Sequence, residues 1–166
     1  MGILIDSEDF TGKHAIAQNS FTSIDDYITR YEKEYLISLL GAELYDLFVA
    51  DLTAQVPGSA IYLSLYNVKH SDYGGQVIYS RGMKEMLLGF VYFEYVREEK
   101  FRPTISGIRT NASEISREVG FDEFNLNARH NEAVSTFEAI QWYIDQNRSD
   151  YPTYNGQCKR RAHWAL

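Results

Sequence analysis

The chain has 166 residues, of which 45% are hydrophobic and 23% charged, with a formal net charge of −7. That length suggests one domain able to bury its own core, and the charge content is ordinary for a globular protein. A single cysteine, Cys158, excludes an internal disulfide framework, and the acidic balance argues against a surface that grips nucleic acid.

Residues 1–22 show no sustained hydrophobic period and read as a loop or short strand, with Ile3, Leu4 and Ile5 as docking residues. The start, MGILIDSEDF, lacks the positive and long apolar regions of a secretory signal, and Asp6 stands where a myristoylation signal needs Ser or Thr. Ser23 is a good N-cap, and Asp25 and Asp26 suit a first helical turn. Ile24, Tyr27, Ile28, Tyr31, Tyr35 and Leu39 recur at spacings of three and four, which predicts an amphipathic helix ended by Gly41 in a left-handed cap. A second helix starts at Ala42, with Leu44, Leu47, Phe48 and Leu52 on one side, and Pro57-Gly58 breaks it. Ala60 to Asn67 predicts a short helix with Ile61, Leu65 and Val68 facing inward, followed by a loop or small hairpin from His70 to Gly82.

The run GMKEMLLGFVYFEYVREEK, Gly82 to Lys100, is apolar nearly all round, so it predicts a buried central helix. It is too short and too charged at both ends to span a bilayer. Pro103 closes it, and residues 101–120 read as two short strands or an arm. A long helix returns from Phe121 to Arg148, its buried side marked by Leu126, Ala133, Val134, Phe137, Ile140 and Ile144. The expected architecture is all-α: about four main helices bundled around the central one. A long loop or small hairpin and an extended C-terminal tail complete it. The division is an N-terminal segment (1–22), a helical domain (23–150) and a tail (151–166).

No catalytic constellation is apparent. The histidines, His14, His70, His130 and His163, lack zinc-site spacing with one another or with Cys158, and no Glu-x-x-His pair supports a di-iron bundle. P-loop, dinucleotide and nucleophile-elbow signatures are absent. Pairs such as Asp25/Asp26 serve a helix dipole, and Glu98/Glu99 read as a solvated face. No metal, cofactor or catalytic residue is expected. Tyr27, Tyr31 and Tyr35 lie on one side of the first helix, either as a core with wet edges or as an interface. Lys159, Arg160 and Arg161 contribute +3, leaving −10 on residues 1–158. With Trp164 and Leu166 beside it, that basic cluster is a candidate to dock on the acidic body of a neighbouring copy.

Three stretches carry a resemblance: LISLLGAELYDLF within Tyr27 to Leu52; Gly82-Met83-Lys84 into LLGFVYFEYVRE, with Thr104 and Gly107 after it; and His130-Asn131 through Trp142-Tyr143-Ile144 to Asn147 and YPTY. In this order they resemble the small head–tail connector proteins (adaptor, ring or neck) of tailed bacteriophages, closest to those of Bacteroidetes-infecting and crAss-like phages. The resemblance implies a structural virion protein, made in the host cytoplasm and located in the neck, forming a ring of about twelve copies. It implies contact with the portal and with other neck or tail proteins, passage of genomic DNA without specific binding, no membrane, no cofactor and no catalysis. By position, the loop carrying Arg102 and Arg109 and the tail carrying Lys159, Arg160, Arg161 and Trp164 are the expected contacts, with Tyr27, Tyr31 and Tyr35 as a third surface. Alternatives are another neck or tail-completion protein, or a small intracellular helical enzyme or regulator.

Overall fold

A computed structural model describes residues 2–16, 23–73, 76–100, 103–104, 107–108 and 123–156. The chain is mostly helical. After two 3-10 turns, Ser7–Asp9 and Gly12–His14, come α1 (Ile24–Tyr27), a π-helical turn (Ile28–Glu32), α2 (Lys33–Leu40), α3 (Ala42–Ala50), α4 (Ala60–Tyr66), α5 (Met83–Lys100) and α6 (Glu123–Gln146). The departure from an all-α reading is three antiparallel two-stranded ladders. These are β1 (Leu52–Thr53) with β2 (Val56–Pro57), β3 (Lys69–Tyr73) with β4 (Gln76–Ser80), and β5 (Pro103–Thr104) with β6 (Gly107–Ile108). The β3–β4 hairpin runs in register from Lys69↔Ser80 to Tyr73↔Gln76, where a loop or hairpin was expected.

The apolar run of α5 is buried over most of its length, as its composition predicts. Met83, Met86, Leu87, Phe90, Val91 and Phe93 are buried on successive faces of α5. Its most extensive partner is α6, and the π turn, α1, α4 and the second 3-10 turn also touch it. A Cβ at Gly89 would lie 2.9 Å from the Cβ of Ala133, so the glycine permits the close approach of α5 and α6. The Ser23 hydroxyl accepts from Asp25 N–H at 3.2 Å, the N-cap its sequence predicts. Leu4 and Ile5 dock completely, each 0% exposed.

Two expected helix faces are turned. In α4, Leu65 is buried, but Ile61 is 46% exposed, and Val68, just beyond the helix, is 58% exposed. Tyr62 and Tyr66 pack against the core instead, Tyr62 edge-on to Phe48 with centroids 5.7 Å apart. In α3 the buried residues are Leu44, Tyr45 and Phe48, while Leu47 is 49% exposed. In both helices a tyrosine ring takes the place assigned to an aliphatic side chain.

The corner between α2 and α3 is tighter than a left-handed cap. Gly41 has φ 79° and ψ 161°, a backbone region open essentially to glycine alone. A Cβ there would also stand 2.6 Å from the carbonyl carbon of Asn155. Gly41→Ala is therefore expected to lower stability by about 2–3 kcal/mol. Thermal denaturation should show a fall of roughly 5–10 °C in Tm. The same contact places residues 151–156 on the body, where a tail was expected. Tyr151 and Tyr154 are buried, and the Tyr151 hydroxyl donates to the Ile61 carbonyl at 2.8 Å. Residues 157–166, the remainder of that tail, lie outside the described residues.

Candidate functional site

Tyr27, Tyr31 and Tyr35 do share one side of the first helical run, and that side faces α5. The Tyr27 ring meets Tyr95 edge-on at 5.2 Å, and Tyr35 stacks on Phe90 at 4.2 Å with the planes 5° apart. The Tyr35 hydroxyl donates to Glu94 Oε1 at 3.0 Å, and the Tyr31 hydroxyl donates to Glu98. Glu94 and Glu98 are one turn apart on α5, so the tyrosines form a ladder across the two helices. Arg97 pairs with Glu94 and Arg30 lies 3.6 Å from Glu98. Burial pushes the Tyr35 phenol well above its ordinary range, with the Glu94 charge adding to it. Tyr27 and Tyr35 are thus core residues of the single chain and Tyr31 is half-buried. Glu98, expected on a solvated face, is a hydrogen-bond acceptor of this core edge. Arg102, Arg109, Lys159, Arg160, Arg161 and Trp164, the other expected contact residues, lie outside the described residues.

Two ionisable clusters that the sequence reading did not single out hold residues 2–16 to the helices. The first centres on Glu32, at the end of the π turn and 2% exposed. Its Oε2 accepts from Ile3 N–H at 2.6 Å, and its Oε1 accepts from Leu4 and Ile5 N–H at 2.6 and 3.0 Å. Burial raises the pKa of this carboxyl, against the opposing pull of the three N–H donors. Beside it the Gln55 amide donates to Asp6 Oδ2 at 2.8 Å and, with the Gly2 N–H, holds Asp6 below the usual carboxylate range. The one sequence signal for Glu32 is its place midway between Ile28 and Leu36, on the stripe that becomes buried.

The second cluster joins the Gly12–His14 turn to α5 and α6. Lys13 Nζ lies 2.5 Å from Glu85 and 2.9 Å from Glu132, and Arg81 is 3.3 Å from Glu132. His14 is 3% exposed, with Nε2 3.3 Å from Glu85 Oε1 and its ring edge-on to Tyr92 at 5.5 Å. The space among these groups is about 10 Å³, room for no more than one water molecule. Each of these ion pairs is partly exposed and contributes about 0–1 kcal/mol. Their value is positional, since they fix where the segment lies.

A groove of about 810 Å³ runs between β4 and α6, past Ile78, Tyr79, Arg81, Ser135, Ala139 and Trp142. Val77 and Tyr79 on the hairpin are 71% and 44% exposed, and His70 lies against Tyr79 at 4.7 Å. The groove is shallow and open. Among the described residues no three His, Cys, Asp or Glu side chains stand where they could hold a metal ion, and no helix is long and apolar enough to cross a membrane. No protein-family model, curated protein or solved structure matches the chain.

Proposed function

We propose that this chain is a structural subunit of a tailed-phage neck, a head–tail connector that assembles with copies of itself beneath the portal as a helical bundle built around α5. The observation that carries the reading is how the buried ionisable groups are used. Glu32, Glu94 and His14 bond to other parts of the same chain, and the Lys13–Glu85–Glu132 cluster encloses no substrate-sized space. Groups arranged in this way hold architecture. The three packing stretches that resemble connector proteins support the same reading. So does the acidic body, which borders passing DNA without attracting its phosphates.

The test is mass at working concentration, with the protein alone and mixed with a portal ring from the same virus. A connector subunit forms a ring-sized species or adds to the portal; a mass that stays that of one chain in both samples overturns the proposal. Charge reversal of Lys159, Arg160 and Arg161 to Glu is expected to leave the monomer folded by circular dichroism. It should lower assembly in sedimentation, because the basic cluster then meets a neighbour's acidic body with the wrong sign. A different neck or tail-completion protein would join the virion neck without adding to an isolated portal.

A further inference from the structure

The residues 2–16 are attached at two ends by different chemistry. At one end Leu4 and Ile5 are fully buried and their N–H groups bond to Glu32. Between the ends Phe10 is buried and Asp9 pairs with Lys84 at 2.8 Å, and at the other end Lys13 and His14 make the polar contacts while Ile16 packs against the core. Around His14 stand Lys13 from its own turn, Glu85 and Tyr92 from α5, and Arg129 and Glu132 from α6, with Arg81 bound to Glu132. That is three cations against two carboxylates before the imidazole takes a proton. The Glu85 oxygen nearest His14 also lies 2.5 Å from Lys13 Nζ, and its pull on the imidazole proton is smaller than the opposing effect of burial. Arg129 sits over the Tyr92 ring at 5.1 Å, the same ring that His14 meets. Among the described residues the His14 Nδ1 is buried without a hydrogen-bond partner, so a second N–H placed there would meet no acceptor of theirs.

We propose that the Lys13–His14 end of this segment is an acid-released latch: protonation of His14 detaches residues 11–16 from α5 and α6, while residues 3–5 stay held by Glu32. The docked form requires a neutral imidazole, and burial lowers the His14 pKa in keeping with that requirement. The sign follows. A histidine whose pKa is depressed on docking gives full attachment above its ordinary value near 6.5, and attachment is lost as pH falls below it. Burial pushes Glu85 up, but Lys13 and His14 bring it below the usual range, so it stays ionised throughout this window.

The test is amide hydrogen exchange of the full chain at pH 7.5 and 5.5, corrected for intrinsic rates. The reporter is the Ala15 N–H, bonded to the Gly12 carbonyl at 3.2 Å in the docked turn. Its exchange should rise up to about tenfold at pH 5.5, the factor by which a free histidine of ordinary pKa is protonated there. The amides of Leu4 and Ile5 should not change with it. In His14→Gln the pH difference at Ala15 should vanish. An unchanged Ala15 rate in the wild type, or an equal rise in the variant, overturns the latch. Should the variant fail to dock at either pH, NMR titration of the wild-type His14 ring decides: a midpoint below the ordinary value supports the latch, and one at or above it refutes it.

Discussion

Replacing Glu32 with alanine is expected to destabilise the chain by about 3–5 kcal/mol. The side chain satisfies three backbone donors at once, all from residues 3–5 and two of them deeply buried. An orphaned buried donor costs roughly 1–3 kcal/mol, so three would approach the upper end of what a single substitution removes. The loss is smaller than the full sum, because alanine also removes a carboxyl that burial disfavours in its charged form. Glu32→Gln separates the two effects. Its carbonyl oxygen, placed at the Oε1 position, still accepts from Leu4 and Ile5, but its amide nitrogen meets the Ile3 N–H donor to donor. That variant should lose about 1–2 kcal/mol. Urea denaturation, with the midpoint read at unchanged slope, gives both values. Equal losses for the two variants would mean that the oxygen at Oε1 contributes nothing.

The second large effect is Phe90→Ala, expected to cost about 3–5 kcal/mol. Phe90 is 2% exposed, stacked on Tyr35 and edge-on to Phe137 at 6.1 Å. It also meets the His130 ring at 5.5 Å. Truncation opens a cavity at the junction of α2, α5 and α6 and leaves the Tyr35 ring without a partner on that side. Phe90→Leu restores most of the volume and should cost below about 1.5 kcal/mol. Because the total stability of such a domain is about 5–15 kcal/mol, the alanine variant should melt far below the wild type. A loss under about 1 kcal/mol would show that the aromatic layer does not bear on the core.

The burial of α5 was legible because its evidence is redundant: a run apolar nearly all round exposes apolar side chains in almost any orientation. The first helix, the corner at Gly41 and the short helix after Pro57 were legible from caps and breakers. The turned faces of α3 and α4 have a single cause. Aliphatic spacing marked Leu47, Ile61 and Val68 as inward, whereas Tyr45 is buried and Tyr62 packs, partly buried, against the core. In a chain with 13 tyrosines, that preference decides which stripe of a short helix goes in. The two ionisable clusters could not be read from spacing. Their partners come from segments 27 to 119 positions apart, as in Ile5 with Glu32 and Lys13 with Glu132. Apart from the place of Glu32 on the Ile28–Leu36 stripe, nothing local distinguishes Glu32 or His14 from a surface residue. Tyr27, Tyr31 and Tyr35 share a helix side as their spacing predicts, and the Tyr31 and Tyr35 hydroxyls serve Glu98 and Glu94 of the same chain.

The backbone of Asn155 closes over Gly41 at the α2–α3 corner. During synthesis that corner emerges from the ribosome long before the residue that roofs it. Vectorial folding therefore leaves the first helical pair open at its apex, and the earliest turn made is among the last parts of the molecule to become watertight.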